Sequence, residues 1–406
     1  MASHDLDDLL PRFDQRGMDL GLDRMQRAMA ELALPSRPRP AIQVAGTNGK
    51  GSICSFIGAA LQGTTFNVGI TTSPHLVSWC ERIRINADLI ELPCLRQQLI
   101  DQAELHERHR LTPFEQLLMA AFSHFEQADV DLLVLEVGLG GRLDATTAYP
   151  SRPVIAFGNI GLDHREHLGP TLEAIAQEKA AVISSGATVV SAAQHPAVAA
   201  VLETRCREQH AQLHWVTPLP SHWTLGLAGR WQRSNAAVAL GALQALKPLG
   251  FRVPDEAIRR GFEQVHWPGR LQRARWNGMC LRLDGAHNPP AAQELAQHIH
   301  DDDNRTGQCW ILAIQSHKQA IEMLDHLLND HDQAWIVPVP GHRSWTRDAL
   351  LQARPDWAGQ LHDASSAEAA LDVFAGREAW PDPVPVIAGS LYLIGDLLGR
   401  GVLTAE

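Results

Sequence analysis

Apolar and polar positions alternate along this chain in two different periods. Leu22, Met25, Met29 and Leu32 follow helical spacing, so the opening through about Leu34 is expected to be an amphipathic helix. A Pro/Arg-rich stretch, Pro35 to Pro40, ends it. Short, largely apolar runs then recur as strand candidates: Ala41–Ala45, Val68–Ile70, Leu132–Val137 (apolar except for Glu136 near its end), Val154–Phe157 and Thr188–Val190. Helical patterns fill the intervals, notably Ile53–Gln62, Phe114–Phe125 and Thr171–Ile183. Strands that alternate with helices predict an α/β fold, a parallel doubly wound sheet with ligands at the carboxyl ends of its strands.

After Trp267-Pro268-Gly269-Arg270 the pattern begins again, with strand candidates at Leu281–Asp284, Trp310–Ala313, Ala334–Val337 and Val384–Ala388. A domain boundary is therefore expected near residues 268–279. It divides the chain into residues 1–270 and a smaller, Rossmann-like α/β domain over 271–406. A length of 406 residues suits two to three domains, and 45% hydrophobic with 20% charged residues excludes global disorder. The net charge of −11 argues against a general nucleic-acid role. No apolar run approaches the roughly 20 residues of a membrane span, and the N-terminus lacks an export signal's pattern. Six widely spaced cysteines without a C-x-x-C pair read as reduced thiols of a cytoplasmic protein.

Candidate chemistry concentrates in the first domain. Gly46-Thr47-Asn48-Gly49-Lys50-Gly51-Ser52 joins a strand to a helix, the context in which loop amides and a helix N-terminus cradle phosphate. The match to G-x-x-x-x-G-K-[ST] is irregular: Val44 stands at the first glycine, and Gly51 separates Lys50 from Ser52. Glu136 ends an apolar strand, where a carboxylate must be solvated, paired or bound to a metal; an ion pair with Arg142 is the plain alternative. Ser73 follows another strand, and hard oxygen donors of this kind suit the Mg2+ that accompanies ATP. His164 follows the Val154–Phe157 strand; alone it reads as a solvated loop histidine. Lys179 alone reads as a surface residue on its helix.

Taken in order, G-T-N-G-K-G-S, T-S-P-H-L, L-E-V-G-L-G-G-R-L-D-A-T, L-D-H-x-x-x-L-G, E-K-A and L-D-G-A-H-N-P resemble the folylpolyglutamate synthase / dihydrofolate synthase family of the Mur ligase superfamily. The resemblance implies a P-loop-containing Mur-ligase-like ATPase domain. It also implies ATP-dependent ligation of L-glutamate to 7,8-dihydropteroate and to folates, through an acyl phosphate. By it, Gly46 to Ser52 with Asn235, Arg270 and Asp284 bind ATP, while Ser73, Glu136 and His164 hold Mg2+. Lys50 and His287 join the catalytic set, and Lys179 matches the family's carbamylated lysine. Met18, Asp19 and Leu20, the segment Thr112-Pro113-Phe114-Glu115, and Leu143, Asp144 and Ala145 match pterin contacts, with Phe114 equally readable as core. Neither nucleic acid nor membrane is expected as a partner, and a monomer fits the resemblance.

The chain departs from the family pattern in three places. Thr147 replaces an asparagine, Ser316-His317-Lys318-Gln319 loses two acids, and Ala181 and Val182 follow E-K-A in place of glycine and isoleucine. Two alternatives stay open: a Mur-type ligase acting on another acid, and a catalytically idle ATP-binding sensor of the same fold.

Overall fold

The computed structural model describes residues 6–10, 20–300 and 307–406. It separates into two compact units. One runs to Gly226 and takes in Trp231–Trp267; the other comprises Leu227–Arg230 and Pro268–Glu406. Each is α/β.

The first unit is built on eight strands: β1 (Ala41–Ala45), β2 (Val68–Thr71), β3 (Ile83–Ile85), β4 (Asp88–Leu89), β5 (Leu132–Glu136), β6 (Val154–Phe157), β7 (Thr188–Ala192) and β8 (Gln212–Val216). Their spatial order is β4-β3-β2-β5-β1-β6-β7-β8. All pairings from β2 to β8 are parallel, and only the β2–β3–β4 edge is antiparallel. Strands covered on both faces have no solvent side, which is why β1, β5 and β6 are wholly buried and read as apolar runs interrupted only by Gln43 and Glu136. The β3–β4 hairpin is invisible to a search for apolar runs because it is short and half exposed, with Asn86 at φ 57° in its turn.

Among the described residues, the helix expected through about Leu34 spans Asp23–Glu31, with Ala33 already at φ 51°. Helix Pro113–Gln127 begins with a reciprocal cap between Thr112 and Glu115, and helix Leu172–Ala180 is capped by the Thr171 side chain.

The second unit holds β9 (Gln272–Trp276), β10 (Met279–Asp284), β11 (Cys309–Leu312), β12 (Gln333–Ile336), β13 (Leu361–Asp363), β14 (Val386–Ala388) and β15 (Thr404–Ala405). The order is β13-β12-β11-β14-β10-β9-β15, parallel from β13 to β10 and antiparallel at β9 and β15. Strand β14 is shorter than the apolar run Val384–Ala388. Pro385 has no N–H for a ladder, and its carbonyl accepts from Arg282 N at 2.9 Å. No helix among the described residues is long and apolar enough to cross a membrane.

Candidate active site

Four adjacent parallel strands, β2-β5-β1-β6, send their following loops to one edge of the first sheet. Those loops carry Ser73, Glu136 with Gly138–Asp144, Gly46–Lys50 and His164. Sequence order scatters these residues over more than a hundred positions; strand order makes them neighbours.

The phosphate loop is shaped by its glycines. Gly46 adopts φ 138° and Gly49 φ 85°, both in the region L side chains avoid. A Cβ on Gly49 would stand 2.4 Å from Asn235 Oδ1, and one on Gly51 would stand 2.8 Å from the Trp267 ring. The glycine between Lys50 and Ser52 is thus the close approach that seats Trp267 on the first turn of helix Lys50–Leu61. Asn159 O takes the amides of Thr47 (2.7 Å) and Asn48 (3.1 Å). Thr47 Oγ1 donates to Gly161 O at 3.0 Å, and Lys50 Nζ bridges the carbonyls of Gly46 (3.2 Å) and Thr47 (3.1 Å). Ser52 is buried, accepting from Gln232 Nε2 at 3.2 Å, and Asn235 Nδ2 donates to Gln232 Oε1 at 3.0 Å. Ser52 therefore faces helix Trp231–Ala245.

Lys179 is not a surface residue. It is 4% exposed, and its Nζ donates to Gly46 O at 2.9 Å, which pins helix Leu172–Ala180 to the phosphate loop. Burial, reinforced by the charge of Lys50 and opposed by Asp163 and Asp144, pulls its pKa down to about 7. An amine in that state carries a substantial neutral fraction at physiological pH.

Glu136 is 3% exposed, and its Oε2 accepts from Ser73 N at 3.0 Å. Arg142 commits its guanidinium to Glu178, at 2.8 Å, so it is not the strand-end partner the ion-pair alternative required. His164 opens a short helix at φ 50°, its ring 3.9 Å from Asp163 and 3.8 Å from Glu166. Among the described residues no three His, Cys, Asp or Glu side chains form a metal-binding group. The oxygen chemistry of the Ser73–Glu136 pair nonetheless suits a hard cation such as Mg2+.

A small cavity beside this edge is lined by Thr71, Thr72, Arg82, Phe114 and Glu136, which brings the candidate pterin and metal residues together. Phe114 packs its ring on Gly138, where a Cβ would lie 2.8 Å away. Glu115 receives Arg24 Nε at 2.8 and 2.7 Å through its two oxygens, joining the N-terminal segment to the Thr112–Glu115 turn. Pro113 is buried, and Leu20 is half-buried just ahead of the first helix. Met18 and Asp19 lie outside the described residues.

Asp144 is held within its own turn. Its oxygens accept from the amides of Gly138 (2.9 Å), Leu139 (3.0 Å) and Thr146 (3.0 Å) and from the Thr146 hydroxyl. A carboxylate so engaged holds the glycine turn, with Leu143 half-buried before it and Ala145 buried after it. Thr147, which stands where the family pattern has asparagine, braces the same turn. Its hydroxyl donates to Gly141 O at 2.8 Å and accepts from buried Gln43 Nε2 at 2.9 Å. Gln43 is not found from sequence, because a lone polar residue in an apolar strand gives no local hint of its partner.

Arg270, Asp284 and His287 cluster within the second unit. Asp284 ends β10, accepts from Leu271 N (2.9 Å) and Ala286 N (2.8 Å), and has its pKa raised by burial against the pull of Arg270. His287 Nδ1 contacts Gly285 O at 2.7 Å, so that nitrogen carries a proton. In the segment Ser316–Gln319, Lys318 is buried.

The chain matches the Mur ligase middle domain over residues 44–212 and the dihydrofolate synthetase C-terminal domain over 270–400. Fold and site together thus define a Mur-type ligase. The dihydrofolate synthetase of Saccharomyces cerevisiae is 32% identical, covering 94% of this chain and 97% of its own. Escherichia coli FolC, solved in complex with DHPP and ADP, superposes with a TM-score of 0.82 at 27% identity, covering 97% and 95%. The bifunctional folylpolyglutamate synthase/dihydrofolate synthase of Yersinia pestis, solved with AMPPNP and Mn ion, gives 0.81 at 28%, covering 97% and 96%. The chain belongs to the dihydrofolate synthase/folylpolyglutamate synthase family.

Proposed function

We propose that this enzyme uses ATP to join L-glutamate to 7,8-dihydropteroate, and extends folates with further glutamates by the same chemistry. The observation that carries this reading is the convergence of the phosphate loop, Ser73, Glu136, His164 and buried Lys179 at one edge of four adjacent strands. The relatives support the acid: one is named for dihydrofolate synthesis, and another was solved with DHPP and ADP.

The acid's carboxylate oxygen attacks the γ-phosphorus of ATP, the bond to ADP breaks, and an acyl phosphate forms. The amino nitrogen of glutamate then attacks the acyl carbon; phosphate leaves, and the amine proton passes to solvent. A carboxylate is a poor electrophile, so phosphorylation supplies the leaving group, and the protein's contribution is positioning and charge neutralisation. Thr47, Asn48, Gly49 and Lys50 are the candidates for holding phosphates, with Asn235, Arg270 and Asp284 as further nucleotide contacts and His287 in the catalytic set. Ser73, Glu136 and His164 would hold Mg2+, which when bound neutralises phosphoryl oxygens. Phe114 offers a ring face for the pterin, and the Arg24–Glu115 pair holds its wall in place.

Lys179 is the candidate for carbamylation. Its neutral amine would attack carbon dioxide, forming an N–C bond and releasing a proton, and the resulting anion can meet a cation that an ammonium cannot. Companion expectations are a monomeric, cytoplasmic enzyme.

Phosphate release from ATP with glutamate, offering dihydropteroate, tetrahydrofolate or a UDP-sugar peptide, tests the reading. Turnover with either pterin is expected. Turnover only with the UDP-sugar peptide would move the chain to another Mur-type ligase, and none with any acceptor would leave an ATP-binding sensor.

A further inference from the structure

The antiparallel edge of the first sheet carries a cation that the mechanism above does not use. Arg84 sits in the middle of β3, paired with Ile70 of β2 and Leu89 of β4. Its guanidinium carbon lies 5.7 Å from the centre of the Trp267 ring, within cation–π range. Trp267 in turn rests on Gly51. The side chain also lies in the electrostatic reach of Cys54, one turn into the phosphate-loop helix, and of Glu136 and Glu81.

Two of its nitrogens, Nε and Nη2, are fully buried and have no hydrogen-bond partner. Glu81 does not serve them, being taken up by the amides of Leu76 (2.7 Å), Val77 (2.8 Å) and Ser78 (2.7 Å). Leaving a buried cation's donors unmade is costly, so an acceptor that meets both nitrogens would be stabilising. Nε and Nη2 lie on one edge of the guanidinium plane. That edge is the planar fork that receives the two oxygens of a carboxylate or phosphoryl group side-on.

We infer that the Nε/Nη2 fork of Arg84 binds an oxyanion of the reacting substrates, supplied either by a nucleotide phosphoryl group or by the carboxylate of the acid. The inference rests on the ligase reading above and adds a substrate contact to it. The stack on Trp267 fixes the plane of the fork, and the Trp267–Gly51 contact ties its position to the phosphate loop. A ligand oxyanion then completes hydrogen bonds that the protein leaves open, and discrimination follows because a ligand without it leaves them unmade.

The test compares wild type with Arg84→Met and Arg84→Lys, using calorimetric titration with AMPPCP and, separately, with dihydropteroate, alongside thermal unfolding and steady-state kinetics. Arg84→Met removes the buried charge and its open donors while keeping an unbranched apolar stem, so its unfolding midpoint is expected to match or exceed that of wild type. Affinity for one probe should fall by about tenfold or more, the usual weight of a charge-assisted bond. Arg84→Lys keeps the charge but not the fork, and should recover only a small part. Loss in the AMPPCP arm assigns the fork to a phosphoryl group; loss in the dihydropteroate arm assigns it to the carboxylate. Binding of both probes within about twofold of wild type overturns the inference. So does a lowered midpoint in Arg84→Met that Arg84→Lys restores together with affinity, since the role is then structural. A wild-type protein without ligase turnover that still loses AMPPCP affinity on Arg84→Met would sink the ligase reading and keep this one. An active wild type with unaffected variants does the reverse.

Discussion

Lys179 Nζ donates to the carbonyl of Gly46 at 2.9 Å, a bond across 133 positions of sequence that places a buried amine against the phosphate loop. Its pKa of about 7 leaves roughly nine-tenths of the amine neutral at pH 8, against well under one per cent for an ordinary lysine. Neutral amine is what carbon dioxide requires. Lys179→Ala is expected to abolish turnover, and short carboxylic acids should restore part of it. Unchanged activity in the variant would refute the carbamate.

The same lysine sets a pH dependence of stability. The unfolded chain keeps the proton up to the ordinary value of 10.5, while the folded chain releases it near 7. Between those values the unfolded state binds more protons, so stability rises with pH across that window. In carbon dioxide-free buffer, Lys179→Met should flatten this slope and raise stability at neutral pH. Urea titrations from pH 7 to 10 measure both.

His106 works at the acid end. It is buried on helix Ala103–His109, its Nε2 has no partner, and burial pulls its pKa down to about 4. The folded ring stays neutral where the unfolded ring takes up a proton, so stability is present above about pH 6.5 and is lost as pH falls towards 4. His106→Leu should weaken that acid loss. An identical acid titration for the variant would show that other groups dominate.

Gly51 tests the seat of Trp267. With a Cβ 2.8 Å from that ring, Gly51→Ala forces the indole off the first turn of the phosphate-loop helix. KM for ATP is expected to rise by about tenfold, since small displacements of positioned groups carry large rate and binding penalties. Adding Trp267→Leu to Gly51→Ala should recover part of the loss. A single variant with wild-type KM would mean the ring yields freely.

Arg24 and Glu115 form a part-buried ion pair, 13% and 4% exposed, with the acid also serving as the helix cap partner of Thr112. Removing one partner strands the other charge, so Arg24→Ala should cost roughly 3 kcal/mol in urea unfolding. KM for dihydropteroate should rise alongside if the pair holds the pterin wall; a stability loss with no change in KM would confine its role to the fold.

Much of this molecule is written locally. The phosphate loop is legible because strand, glycines, lysine and helix are consecutive, and the alternation of apolar runs with helical stretches specifies a parallel α/β sheet without reference to distant residues. The Thr112–Glu115 cap is of the same kind, since its two partners are three positions apart. Where partners are remote, local pattern is silent or misleading. Lys179 reads as a surface lysine yet is buried, and Arg142 suits Glu136 by proximity yet pairs with Glu178.

The sequence alone therefore determined the central strands and their helices, the class of chemistry and the loops that bear it, because each is encoded in neighbouring residues with a characteristic period or turn. The short or half-exposed edge strands such as β3 and β4 were not among them. Only the tertiary structure decided which of those loops meet. The order β2-β5-β1-β6 sets Ser73 beside Glu136 and brings Lys179 under Gly46. It also decided that Lys179 is buried and that the Arg84 fork lacks a protein acceptor. Burial and partner choice are properties of packing between remote segments, and no periodicity along the chain records them.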